Sequence, residues 1–262
     1  MKSGLWRGSD KIMTLCSKNN RQSIEEFLEN CYSKAIQEFR QIGITSSNTQ
    51  KFYCMCLYCR ILELTRECLI LTGSGPTIGL VILLRSVLET LAEFENLRKD
   101  PDYLKVMNVN MLKDQKKLGD YAMKNENNPF LKNLISRKPF TARYEQIKNE
   151  IKRFATKKCK PITIKDKFKN ADMQEEYESF YNLFCVDAHP DARSLEIRHV
   201  IKKENGNIDF CLFSGINSDE DKHVYLLANL LLIASINIHA FFSTCISFAK
   251  EKQMLEQMMK IK

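Results

Sequence analysis

"GLVILLRSVLETLAEF", Gly79 to Phe94, is apolar in almost every direction once wound into a helix. Leu80, Leu83, Val87 and Phe94 fall on one side, and Ile78, Val81, Ile82, Leu88 and Ala92 on the other. A helix that is apolar all round belongs inside a bundle, with neighbours on several sides. Arg85 and Glu89 interrupt it, and their spacing of four places them on one face. Buried charge is tolerated only when paired and hydrogen-bonded, so this pair is expected to be joined and largely buried. Two alternatives stand: a salt bridge that fixes helix register, or a polar site in which Arg85 holds an anion and Glu89 orients it. The preceding helix adds Arg60, Glu63, Arg66 and Glu67 to the same network.

Outward from this helix, the chain predicts a mostly α fold: a helical bundle with one small β-hairpin near residues 195–213, in a single helical domain over 1–262. Nine glycines and six prolines are few enough to favour long helices. Ser23 and Glu26 form a capping-box pattern for a helix running to about Gln41. A second helix covers roughly 47–71, and "GSGP" at 73–76 separates it from the third, which ends near 99. Residues 101–170 form a basic helical insertion, and another helix covers about 172–188. "SLEIRHVIKK", "ENGN" and "IDFCLFSG" predict strands around an Asn205-Gly206 turn. A last long helix is expected over 219–255, with Ser235, His239 and Ser243 as a thin polar stripe.

The net charge of +8 is concentrated: residues 101–170 carry 18 Lys/Arg against 7 Asp/Glu. That imbalance suits either a solvated surface or contact with a polyanion such as RNA. Ten cysteines without an apolar leader at the start predict reduced thiols in a cytoplasmic protein. Cys56 and Cys59 make one CxxC, but a zinc site needs a second, so no metal and no cofactor are expected. Val224 to Ala249 contains no Asp, Glu, Lys or Arg. Its scattered Asn, Ser and His residues favour a buried core helix over a membrane anchor.

"YNLFCVDAHPDARSL", Tyr181 to Leu195, places His189 directly before Pro190. Proline pushes the preceding residue out of the α region, so the helix should stop near Ala188. An imidazole at a helix C-terminus, flanked by Asp187 and Asp191, is favoured in its charged form. Such a ring suits acid–base chemistry and equally suits a simple helix stop. His239, inside an apolar helix, invites the same two readings, as a supporting site residue or as a hydrogen-bonded core histidine.

The order "LLRSVLETLAEF", then "YNLFCVDAHPDARSL", a hairpin and an apolar last helix resembles the bacterial domain-of-unknown-function family DUF5677. The resemblance singles out Arg85 and Glu89 from the first motif and Tyr181, His189 and Pro190 from the second. Ser194 is the nearest hydroxyl after His-Pro, where Asp191 follows directly. The family is similar in turn to HEPN bundles, many of them ribonucleases of toxin and phage-defence systems. That likeness implies a metal-independent endoribonuclease acting as a homodimer, with Arg85, Glu89 and His189 catalytic and Glu63, Tyr181, Ser194 and His239 supporting. It also offers an alternative motif, Arg193 and His199, with five residues between them. HEPN proteins carry this motif on a helix, and its expected place across a turn and a strand weighs against it. The non-catalytic alternative is an interaction or sensor module that binds a partner protein of a defence complex, its Arg/Glu/His cluster a sealed polar lock. The fork between the two is whether one solvent-accessible cleft reaches both Arg85 and His189; a sealed polar core would favour the lock.

Overall fold

The computed structural model describes residues 18–43, 48–72, 78–125, 127–129, 131, 139–156, 159–188, 192–210 and 220–260. Three long helices open the fold: α1 (Lys18–Phe39), α2 (Thr49–Thr72) and α3 (Ile78–Lys99). Gln50 at the start of α2 donates to the carbonyls of Leu97 and Arg98 at the end of α3, so these two helices run antiparallel. The helix α10 (Glu220–Phe241) packs against α1, α2 and α3. Its Leu227, Ala228, Leu231, Leu232, Ala234 and Ile238 are fully buried together with Leu84, Leu88 and Phe94 of α3. This is the core that the all-apolar stretch predicts. The α10 segment Asp221–Phe241 is long and apolar enough to cross a bilayer, and it is mostly buried in protein.

Beside the core lie two antiparallel helices, α4 (Tyr103–Lys124) and α5 (Pro139–Thr156). Pro139 occupies the first helical position, where its missing N–H costs nothing. Gly119 lets them close: a Cβ there would lie 2.4 Å from the Tyr144 ring. A capping box between Thr163 and Asp166 starts α6 (Ile164–Asn170). A short helix α7 (Gln174–Glu176) leads into a π-helical turn (Tyr177–Tyr181) and α8 (Asn182–Ala188), and the last two pack on α3. After α9 (Ala192–His199) come β1 (Val200–Lys202) and β2 (Ile208–Phe210), which pair antiparallel with Val200 opposite Phe210. The last helix is α11 (Ala249–Lys260).

The Asn205-Gly206 turn forms as expected, with Gly206 at φ +81° and its N–H bonded to the Lys203 carbonyl at 3.0 Å. Three boundaries differ from expectation. The first helix begins at Lys18, so Ser23 lies inside it and is not its cap. Residues 192–199 are helical, although a strand was expected from Ser194 on; "ARSLEIR" is rich in good helix formers, and alternation over so few residues does not distinguish the two periods. Arg193 and His199 therefore share one helix, the setting the alternative motif requires. The last helix divides in two. Ser243 takes φ +54°, its N–H bonds the Ala240 carbonyl, and Thr244 N–H bonds the His239 carbonyl at 3.0 Å. This is a Schellman stop with serine where glycine is usual. Replacing Ser243 by Gly should therefore stabilise the fold by about 0.5–1 kcal/mol, since a Cβ is penalised in this backbone region. A urea midpoint that fails to rise would contradict it.

Candidate functional site

Along α3, positions 85, 89 and 93 form a polar ridge between the core and solvent. Arg85 Nε donates to Glu89 Oε1 at 3.0 Å. The same oxygen accepts the Tyr181 hydroxyl at 2.8 Å, and the Arg85 guanidinium stands 5.1 Å from the Tyr181 ring centroid. Three residues from two motifs almost a hundred positions apart thus meet at one carboxylate oxygen. A guanidinium has five donors, and the link to Glu89 runs through Nε, so donors remain for an anion.

Tyr181 is fixed by its backbone and by its ring. It ends the π-helical turn, where the Asn182 N–H reaches the Tyr177 carbonyl five residues back. Such turns are frequent at functional sites. The turn stacks Tyr177 on Tyr181 at 5.3 Å and 17°, and the fully buried Phe168 of α6 packs against Tyr181 at 5.0 Å. Burial, followed by the bond to Glu89, pushes the Tyr181 hydroxyl well above its usual range. At neutral pH it remains a proton donor that holds Glu89 in place. One turn further along α3, Glu93 accepts the Tyr103 hydroxyl at 2.7 Å and pairs with Lys167. Burial and the Glu93 carboxylate likewise raise Tyr103.

The expected burial of Arg85 and Glu89 is corrected: they are paired, but their side chains are 30% and 38% exposed. Ile78 and Ile82, expected to bury that face, are 44% and 43% exposed. The buried charge of α3 lies elsewhere. Glu95, 7% exposed at its side chain, accepts Arg98 Nε and Nη2 at 3.1 and 2.6 Å and Asn237 Nδ2 of α10 at 2.6 Å. No residue of this triad stood out in the sequence. The signal was an α3 carboxylate on the core side, opposite Asn237, one of two asparagines in the mostly apolar α10.

The other candidates scatter. Glu63 is exposed and, among the described residues, pairs with the exposed Arg60 across one turn of α2; Arg66 and Glu67 also face outward. Charges spaced three to four apart on a helix read equally as a solvated face, and here that face wins. His239 is buried at the far end of α10, its Nδ1 2.8 Å from the Thr244 hydroxyl and its ring 5.6 Å from Phe248. It belongs to the packing of α10 on α11 and lies outside the Arg85 cluster. Ser235 of the same stripe bonds the Tyr58 hydroxyl at 2.9 Å. Ser194 lies on α9 with Arg193, while His189, Pro190 and Asp191 lie outside the described residues.

His239 gives a pH prediction. Burial pushes its pKa below the usual value; Glu38 opposes and Lys34 assists. The folded state then binds fewer protons than the unfolded one below about pH 6.5. Its contribution to stability is complete above that pH and is lost as pH falls toward the folded value. Stability measured by urea should decline between about pH 7 and 5, less steeply in His239→Gln. Parallel curves for the two proteins would refute the assignment.

The cysteines of the CxxC region face different ways: Cys54 is in the core, its thiol pushed up to about 12 by burial, and Cys56 is exposed. No curated protein and no solved structure matches the chain. Residues 51–208 match the family of unknown function DUF5677. This span is more than half of the 262 residues, runs from α2 into the hairpin, and includes Arg85, Glu89 and Tyr181, which the fold joins. The chain belongs to the DUF5677 family.

Proposed function

We propose that this protein is a metal-independent endoribonuclease that cuts by transesterification. The supporting observation is access: Arg85 is held by Glu89 against Tyr181 yet open to solvent, whereas an internal lock would be sealed. In this scheme Arg85 takes the scissile phosphate and offsets the charge that builds on its oxygens. Glu89, steadied by the Tyr181 hydroxyl, aims the guanidinium. A histidine removes the proton of the 2′-hydroxyl, whose oxygen bonds to phosphorus. The bond to the 5′-oxygen breaks, and that oxygen takes a proton as it leaves. The products are a 2′,3′-cyclic phosphate and a 5′-hydroxyl end. His189 is the first choice for the histidine, because it follows α8, which packs on α3. His199, on one helix with Arg193, is the second. The HEPN likeness of the sequence adds a bacterial, cytoplasmic homodimer with a toxin or phage-defence role.

The test compares RNA cleavage by wild type, His189→Ala and His199→Ala. Loss confined to His189→Ala, by ~10²–10⁴-fold, supports the first choice. Loss confined to His199→Ala moves the chemistry to α9.

A second reading, a non-catalytic interaction module, is favoured by one observation. Phe180, Leu183 and Val186 leave an apolar row open on the outer side of the π-turn and α8, at 39–53% exposure, and Phe210 on the hairpin is 80% exposed. An intact protein that never cleaves RNA, but co-purifies with a partner until Leu183→Asp is introduced, would fit that reading.

A further inference from the structure

We propose that the groove between α4 and α5 is a receptor for one unstacked base of single-stranded RNA. The inference takes its strand from the ribonuclease reading, but the groove lies on other helices than Arg85, Glu89 and Tyr181.

The groove has a volume of about 320 Å³ and lies where Met111 and Leu112 of α4 face Arg153 and Phe154 of α5. That is the lower end of the range for small-ligand sites. Leu112 is its buried floor, and Phe154 is a half-buried aromatic wall opposite the 46% exposed Met111. Asn108 and Glu150 supply the polar edge. Gln146 donates to one Glu150 oxygen at 2.9 Å and holds it in place. Neither the Asn108 amide nor the Arg153 guanidinium has a hydrogen-bond or ion-pair partner among the described residues, and both are exposed.

These groups together select the ligand. Phe154 gives the groove an aromatic face with Met111 as a second apolar lining residue, and every base offers a π-face for stacking. A carboxamide carries a donor and an acceptor, which suits the edge of a base. A carboxylate accepts from an amino group, so adenine, cytosine and guanine should be preferred over uracil, which has no exocyclic amine. The Arg153 cation is available for the flanking phosphate. An apolar peptide side chain would leave three polar groups unanswered, and a bare phosphate would face Glu150. Exposed Lys113, Lys117 and Lys152 on the same two helices add sequence-independent attraction for the backbone. A duplex keeps its bases stacked and does not offer one to a groove.

The test is fluorescence anisotropy with labelled 2′-O-methyl oligonucleotides of about ten residues, the length scale of a single-strand site. These cannot be cut by the proposed route, so binding is read apart from cleavage. Wild type should bind oligo(A) more tightly than oligo(U), and either more tightly than a duplex of equal length. Phe154→Leu keeps an apolar side chain but loses the stacking face. It should weaken oligo(A) binding by about 10-fold while leaving the salt dependence unchanged. Lys152→Ala should instead flatten the salt dependence. Glu150→Gln should narrow the gap between oligo(A) and oligo(U), and Phe154→Trp should bind at least as well as wild type, even if Phe154→Leu melts early. Wild-type affinity in Phe154→Leu, or equal affinity for duplex and single strand, overturns the groove assignment. In that event undiminished cleavage of ordinary RNA would leave the ribonuclease standing. Groove-dependent binding without cleavage would remove the ribonuclease and keep the groove.

Discussion

Arg98→Ala is expected to lower stability by about 3–5 kcal/mol, because it leaves the Glu95 carboxylate buried without its cation. For a chain of this size that is a fall in Tm of roughly 6–20 °C. Two guanidinium nitrogens clamp one Glu95 oxygen, and Asn237 of the central helix holds the other. The arrangement ties the end of α3 to α10 at the point where Gln50 also ties α2 to α3. After the substitution only the neutral Asn237 amide remains for a side chain that water hardly reaches. Arg98→Lys should cost less, since the charge stays and only the two-nitrogen grip is lost. Melts of the two variants and wild type check this. An Arg98→Ala melt indistinguishable from wild type would show that the Glu95 carboxylate does not depend on its cation.

The contrast between Glu95 and Arg85 shows where sequence reasoning stops. Both carboxylate–arginine pairs of α3 have helical spacing, at three and four residues. The apolar letters around Arg85 suggested burial, yet Ile78 and Ile82 beside it face solvent. A helix that is apolar on every side has no hydrophobic stripe from which to fix its rotation, so its phase was not legible. What did carry over was the identity of α3 as a core helix and the long α2–α3 hairpin. The Asn205-Gly206 turn also survived, since its chemistry is local. The split of the last helix at Ser243 was not legible, because serine in a left-handed conformation has no strong signature. The meeting of Arg85, Glu89 and Tyr181 could not come from periodicity at all. Family likeness singled the three residues out without saying that they touch, and the π-helical turn that aims Tyr181 at Glu89 left no mark in the sequence.

Arg85→Ala is expected to do the reverse of Arg98→Ala. Its ion pair is half-exposed, so removing it should cost no more than about 1 kcal/mol. Glu89 keeps its bond to Tyr181 and regains water. If Arg85 steadies a pentavalent phosphate, RNA cleavage should fall by ~10²–10³-fold. Glu89→Gln should be milder, because the amide oxygen can still accept from Tyr181 while the guanidinium loses only its charged anchor. A variant that loses both stability and activity in proportion would indicate a structural role for Arg85.

The decisive measurement is incubation of the purified protein with a defined RNA in the presence of a metal chelator, followed by end-group analysis of the fragments. Wild type should yield 2′,3′-cyclic phosphate and 5′-hydroxyl ends at an undiminished rate, and folded Arg85→Ala should yield almost none. Intact RNA with wild type, or fragments produced equally by Arg85→Ala, would contradict the proposal that this protein is a metal-independent ribonuclease built on Arg85, Glu89 and Tyr181.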